Sequence, residues 1–291
     1  MNSIEMDERV FESFRRVIYQ SSGIALRDNK LQLVKARIRK RMLELGFTKG
    51  RDYLNYVEAD ESETEMVHLL DAIATNVTSF FREDRHFEVI ASWIRHKVFE
   101  EGRTRLRFWS AACSSGEEPL TLAMIIDQAV GDRPLDWKIL GTDISAKILV
   151  RAQQGLYPAT KVQPIPHHLR QRYFQSETHD GEVFYRAKRD LMRRIVYRRV
   201  NLSAPPFPLK GPLDIVMCRN VMIYFDDDVR RKLLSDIYRL VAQDGLLLVG
   251  HAESLTGMLS DFVSLMPSVY AKQRGNLPDI LRKPLPPAGA A

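Results

Sequence analysis

Cysteine is nearly missing: Cys113 and Cys218 are the only two in 291 residues. Two thiols cannot frame a disulfide scaffold or build a zinc site by themselves. No metal is therefore expected, and a reducing cytoplasm is the natural setting. No apolar run approaches the ~20 residues that a bilayer-crossing helix needs. Glu5, Asp7 and Glu8 precede any apolar stretch, so no secretory leader is expected either. No internal repeat is found. The one glycine-containing turn that follows a strong strand pattern lacks Gly-x-Gly-x-x-Gly, and no Gly-Lys-Ser/Thr follows it, which argues against a phosphate cradle there. What is present is ordinary for a soluble globule: 45% hydrophobic and 27% charged residues. A net charge of +6 suits an acidic partner without choosing among nucleic acid, a membrane surface and an acidic protein.

The most informative stretch is Arg105–Glu118. Arg105 to Ala112, with Phe108 and Trp109, has the character of a packed strand. Cys113-Ser-Ser-Gly116 is a turn of small residues, and Glu117-Glu-Pro-Leu-Thr-Leu-Ala-Met-Ile-Ile126 has helical character with Pro119 in its first turn. Strand, small-residue turn and helix open a nucleotide-binding α/β unit. Glu117 and Glu118 occupy the helix N-terminus where a pyrophosphate would need bare N–H groups. The site therefore suits a phosphate-free, cationic ligand such as S-adenosylmethionine. The alternative, equally open on this stretch alone, is that both glutamates only stabilise a helix start. Trp137–Ile144 reads as the second strand, and Asp143 lies near its end, 27 residues after Gly116. An acidic residue in that place of a doubly wound fold binds ribose hydroxyls.

Residues 1–75 show helical periodicity only, for example Val10, Phe11, Phe14, Val17 and Ile18, and are expected to form a separate all-α domain. A helix from about Asp28 to Leu45 carries a basic run. Lys30, Arg37 and Arg41 fall on one flank at 100° per residue, either as a solvated face or as a docking stripe for an acidic helix. Thr75-Asn-Val-Thr-Ser-Phe-Phe-Arg82 joins this domain to the next; composition alone reads Asn76 and Thr78 as caps and Arg82 as a surface cation. Residues 156–194 exceed what a crossover needs and are expected to be an inserted subdomain with a hairpin turn at Thr178–Gly181. Leu213–Cys218 and Leu246–Gly250 read as buried strands. His251 reads as structural, since no Ser/Cys–Asp partnership surrounds it. Residues 275–291, rich in proline, are expected to be disordered.

Four motifs together resemble the chemotaxis receptor methyltransferases, the CheR family. They are Thr75–Arg82; Trp109-Ser-Ala-Ala-Cys-Ser-Ser-Gly-Glu-Glu-Pro119; Gly141-Thr-Asp-Ile144 with Ala152-x-x-Gly-x-Tyr157; and Cys218-Arg-Asn-Val-Met-Ile-Tyr-Phe225 with Gly250-His-x-Glu253. The resemblance covers nearly all of the chain except the tail. It implies an all-α domain over 1–75 and a doubly wound, Rossmann-like class I methyltransferase domain over 76–274 with a small antiparallel β insertion. It also implies S-adenosylmethionine-dependent methylation of glutamate carboxylates on chemoreceptor cytoplasmic helices, releasing S-adenosylhomocysteine. Cofactor contacts are then implied at Asn76, Thr78, Arg82, Glu118, Asp143, Asn201, Leu202, Arg219 and Asn220, which replaces the capping reading of the junction. Arg82 is the candidate beside the transferring methyl, and Tyr224 is a weaker one.

A glutamate with a pKa near ~4.3 is already ionised at neutral pH, so the expected in-line displacement needs no general base. Lys30, Arg37 and Arg41 are expected to face the methylation helices. Val183–Arg189 is the candidate edge for β-augmentation by a receptor C-terminal peptide, with Arg186, Lys188 and Arg189 meeting its carboxylates. Two rivals are a nucleic-acid methyltransferase and a non-catalytic ligand-binding adaptor. Against the first, the basic run sits on an N-terminal helix without interleaved aromatics; against the second, the motifs are intact. No nucleic acid and no membrane insertion are expected.

Overall fold

The computed structural model describes residues 6–26, 31–73, 77–255, 258, 261–273, 278 and 281. Lys30 and Asn76 lie outside the described residues, as does most of 275–291. Leu281 is buried against the main core, so the chain still contacts the domain there.

Four helices form the N-terminal part: α1 (Glu8–Ser22), α2 (Leu31–Glu44), α3 (Gly50–Ala59) and α4 (Thr64–Ile73). Asp7 caps α1 by accepting from the Val10 N–H at 2.7 Å. Phe11, Phe14, Ile18, Ile38, Met42, Tyr53 and Leu69 are fully buried and make its core. One acid lies inside it. Glu65 accepts from Arg41 Nε at 2.9 Å, Arg41 Nη2 at 2.6 Å and Tyr53 Oη at 2.7 Å. Arg41 is therefore spent on an internal partner. Arg37 donates to the Ile73 carbonyl at 2.7 Å and turns toward a cavity described below. The expected stripe on α2 is thus redrawn: its outward cations are Arg39 and Lys40, interleaved with exposed Ala36 and Leu43, while Leu33 borders the cavity with Arg37.

The second part begins with α5 (Arg85–Arg95), whose last turn loosens into a π-helical turn at His96–Glu100. There follow β1 (Arg105–Ala111), α6 (Glu117–Val130), β2 (Asp136–Asp143) and α7 (Ala146–Gln154). An insertion comes next: β3 (Leu156–Pro158), α8 (Ala159–Val162), α9 (His167–Tyr173), β4 (Phe174–His179), β5 (Glu182–Ala187) and α10 (Arg189–Met192). The chain then returns through β6 (Ile195–Arg199), β7 (Leu213–Cys218), α11 (Asp227–Leu240), β8 (Val241–Val249), β9 (Val263–Met266) and β10 (Val269–Ala271). The large sheet has the order β6-β2-β1-β7-β8-β10-β9. The first five are parallel, and β10 runs antiparallel to β8 and to β9. Helices covering both faces explain why β7 is buried along its whole length. The order reverses between β1 and β7, and that is where an open parallel sheet leaves a crevice at its strand ends.

The insertion is a three-stranded sheet in the order β3-β5-β4. β5 is its central strand, paired with β4 along its length and with β3 at Phe184–Arg186. This corrects the candidate edge: β5 is the paired centre of the sheet, and the open edges belong to β4 and the short β3. Arg186 is also occupied, donating to both Glu177 oxygens at 2.5 and 2.8 Å. The chain's net positive charge lies near here rather than in the N-terminal part as a whole. Residues 146–199 hold 12 Lys/Arg against 4 Asp/Glu, whereas residues 1–75 hold 12 against 13.

Candidate active site

The β1–α6 turn is built by backbone strain that only its neighbours make tolerable. Ala112 (φ 63°) and Ser114 (φ 49°) are left-handed, and Gly116 has φ 94°. A Cβ at Gly116 would lie 2.9 Å from Tyr157 Oη and 3.0 Å from both Ala152 Cβ and Tyr197 Oη, so glycine is required there. The turn is held from the next strand. Asp143 accepts from the Ser114 N–H at 2.9 Å through one oxygen and from the Ser145 N–H at 3.0 Å through the other. Burial pushes the Asp143 carboxyl above its ordinary pKa, against those backbone bonds.

The two glutamates that open α6 diverge. Glu117 is fully buried and accepts from Lys161 Nζ at 2.9 Å, and the same ammonium reaches the Thr78 carbonyl at 2.9 Å. Glu118 accepts from Ser110 Oγ at 2.7 Å and from Arg219 Nη1 at 3.0 Å. Burial raises the Glu118 pKa, and Arg219 offsets only part of that. Arg219, 4% exposed, also donates to Glu83 Oε2, from Nη2 at 3.0 Å and Nε at 3.3 Å, and to the Arg82 carbonyl. Burial pushes Glu83 up, but the guanidinium outweighs it and the carboxyl lies below its ordinary value. Two carboxylates thus share one buried guanidinium, leaving a surplus negative charge.

Next to Arg219, Asn220 takes a left-handed φ of 58°. Glu253 compensates this by accepting from the Asn220, Gly250 and Ile223 N–H groups at 2.6, 2.8 and 3.2 Å. The polar residues of the Gly250–Glu253 motif therefore act on the backbone of the neighbouring motif. His86, 2% exposed, lies behind this network; burial first and Arg219 second lower its pKa to about 3.

The β1–α6 turn, the end of β2 and the Arg219-Asn220 loop open on one cavity of about 300 Å³. Of the residues singled out from the sequence, Thr78, Arg82, Glu118, Asp143 and Asn201 line it. So do Leu202, Arg219, Asn220 and Tyr224. The sequence did not point to the N-terminal part as its other wall, yet Ser22, Ile24–Leu26, Val34, Arg37 and Ile73 line it too. The two parts are bonded at this point. Asn201 Nδ2 donates to the Ser21 carbonyl at 2.8 Å, Ala25 N–H donates to the Tyr224 carbonyl at 2.8 Å, and Tyr19 bonds Asp226. Glu83 was also missed; its only signal was its place directly after Arg82.

A parallel α/β sheet with a largely apolar cavity at its switch point, bordered by Asp143 at the end of β2 and Glu118 at the start of α6, defines a nucleoside-type cofactor-binding domain. Its particular kind follows from comparison with known proteins. Residues 76–270 match the CheR methyltransferase SAM-binding domain, and residues 9–74 match the CheR methyltransferase all-alpha domain. The chain belongs to the CheR methyltransferase family. It is 35% identical over 274 residues to the chemotaxis protein methyltransferase of Escherichia coli (strain K12), covering 92% of this chain and 94% of that one. It is 32% identical over 263 residues to the chemotaxis protein methyltransferase of Borreliella burgdorferi, covering 88% and 92%. The chain is thus an S-adenosylmethionine-binding methyltransferase of the chemotaxis type. No described helix is long and apolar enough to cross a membrane.

Proposed function

We propose that this protein transfers the methyl group of S-adenosylmethionine to glutamate side chains on the cytoplasmic helices of chemoreceptors, forming glutamate 5-O-methyl esters and S-adenosylhomocysteine. The observation that carries this reading is the sign pattern of the cavity. Glu118 and Asp143 border the cavity, and Arg219 divides its one charge between Glu118 and Glu83, which leaves Glu118 free to suit a cationic cofactor. Arg37 and Arg82 reach it from α2 and the junction, which suits an anionic acceptor.

Asp143 would hold the ribose hydroxyls while its backbone bonds keep the β1–α6 turn in shape. Thr78, Asn201, Leu202 and Asn220 would complete the cofactor walls. Glu118 would face the positive part of the cofactor through the charge that Arg219 leaves unbalanced. Arg82 would align the acceptor carboxylate with the sulfonium methyl, and Tyr224 would border the same end. Asn76 belongs to this set by motif and lies outside the described residues. One oxygen of the ionised acceptor attacks the methyl carbon as the carbon–sulfur bond breaks, so alignment and exclusion of water are the enzyme's contributions. The cytoplasm is the compartment this substrate implies, and the two buried free thiols are at home there.

Receptor docking is assigned to the outward face of α2, where Arg39 and Lys40 stand among Ala36 and Leu43. A receptor C-terminal peptide, where one is used, would add to the open edge of β4. The test is transfer of labelled methyl from S-adenosylmethionine to a purified receptor cytoplasmic fragment. The label should be released as methanol by mild base and should be lost when the fragment's methylated glutamates are changed to alanine. Base-stable label, or equal labelling of RNA, would refute the ester assignment.

A further inference from the structure

Beside the cavity, and outside its lining, the side chains of Glu83, His86 and His251 converge. His86 is 2% exposed, and neither of its ring nitrogens has a hydrogen-bond partner among the described residues. An imidazole carries one donor and one acceptor even when neutral, and burying them unpaired is costly. Glu83 offers a second group. Arg219 holds its Oε2, but among the described residues Oε1 meets only the Asn220 amide and the His251 N–H, both at 3.4 Å, too long to saturate it. His251 is exposed, and its ring lies 5.3 Å from that of His86, edge-on at 73°. One ligand atom from each of the three residues lies within 4.8 Å of the others.

The charge balance favours a cation here. Glu83, Glu118 and Glu253 crowd around Arg219 and its neighbour Asn220, and Arg219 is the one buried base among them. Two imidazoles and a carboxylate suit a borderline first-row ion such as Zn²⁺, Co²⁺ or Ni²⁺ rather than Ca²⁺ or Mg²⁺. Metal–nitrogen bonds of about 2.0–2.1 Å place tetrahedral ligand atoms roughly 3.3 Å apart. His251 would therefore move inward, which its exposed position in the turn after β8 allows. Arg219 on Oε2 would then orient the ligating carboxylate from outside, as outer partners do in metal sites.

We propose that Glu83, His86 and His251 form a binding site for a borderline divalent cation, with Zn²⁺ as the type ion. Occupancy clips the turn after β8 to the first turn of α5. It also acts on the cavity, because Glu83 holds Arg219 and Arg219 lines it. Added positive charge here opposes a cationic ligand next door, so the ion weakens S-adenosylmethionine binding, and the cofactor weakens the ion in equal measure.

The experiment uses the full chain, stripped with chelator and titrated calorimetrically with ZnCl₂, alongside His251→Ala and His167→Ala/His168→Ala. His167 and His168 are an exposed neighbouring pair that could capture zinc on their own. Wild type should bind one equivalent. His251→Ala, a surface change, should weaken binding at least about tenfold, and the His167/His168 variant should bind as wild type does. Co²⁺ should give visible ligand-field bands in wild type that His251→Ala lacks. Saturating Zn²⁺ should raise the Kd for S-adenosylmethionine in wild type and leave it unchanged in His251→Ala. Absence of saturable binding, undiminished binding by His251→Ala, loss of binding in the His167/His168 variant, or an S-adenosylmethionine Kd indifferent to Zn²⁺ in wild type would each overturn the proposal.

Discussion

Glu118→Gln isolates the charge argument at the cavity. The amide matches the carboxylate in shape and can still take part in contacts with Ser110 and Arg219, now 2.7 and 3.0 Å away. Burial already raises the Glu118 pKa, so neutralising it should disturb the fold little. The cavity, however, loses the carboxylate that Arg219 does not balance. A unit charge roughly 5 Å from a cationic centre, at an effective dielectric constant of about 20, contributes about 3 kcal/mol. Polarisation of the remaining Glu83–Arg219 pair reduces that, so a loss of ~1–3 kcal/mol in S-adenosylmethionine affinity is expected, about five- to 150-fold. S-adenosylhomocysteine carries no sulfonium charge and should lose clearly less. Calorimetry of both ligands against wild type and Glu118→Gln makes the comparison, with thermal melting as the control for folding. Equal losses for the two ligands in a folded variant would refute the reasoning: Glu118 would then act through shape or hydrogen bonding and not through its charge.

Asp143→Ala should weaken S-adenosylmethionine by about 1.5–3 kcal/mol, the usual range for hydrogen bonds to a charged group. It should also lower the melting temperature, because Ser114 and Ser145 lose their acceptor; wild-type affinity in the folded variant would remove Asp143 from the site. Gly116→Ala should cost about 1–3 kcal/mol of stability from overpacking at a left-handed position, read by urea unfolding, and an unchanged midpoint would contradict the close approach of Tyr157 and Tyr197. Arg39→Glu/Lys40→Glu should slow receptor methylation while leaving cofactor affinity intact, and added salt should slow the wild type by screening the same charges; normal rates would leave the α2 face without a docking role. Glu65 predicts an acid limit. Burial raises its pKa, but Arg41 and Tyr53 outweigh this and hold it below the ordinary carboxylate value. A lowered folded pKa means stability that is complete above the unfolded value and lost as pH falls through the folded one. Denaturant titrations should therefore show loss setting in below about pH 4.3, blunted in Glu65→Gln; an identical pH profile in that variant would contradict it.

Local pattern was enough for much of this molecule. Phe108 and Trp109 in Arg105–Ala111 and the apolar run Ile215–Met217 in Leu213–Cys218 marked strands, because a parallel strand covered on both faces is rich in apolar residues. The small-residue turn before Glu117 and the acid at Asp143 were legible because both lie within one βαβ unit, where sequence spacing dictates spatial proximity. Four motifs read together named the family, and Thr78, Arg82, Glu118, Asp143, Arg219 and Asn220 from them meet at one cavity. What the sequence could not determine was pairing across long separations. Arg41 looked like a free cation until tertiary packing set it on Glu65, 24 residues away. Val183–Arg189 looked like an edge until β3 paired with Phe184–Arg186, since strand order is decided by the whole insertion and not by the strand. Glu83, His86 and His251 carry no shared local signal, because His251 N–H reaches Glu83 across 168 residues of chain. Arg37 became a wall of the cavity only once the helical part was docked on the strand ends. Periodicity reports which face of an element is buried; which partner buries it is a property of the assembled fold alone.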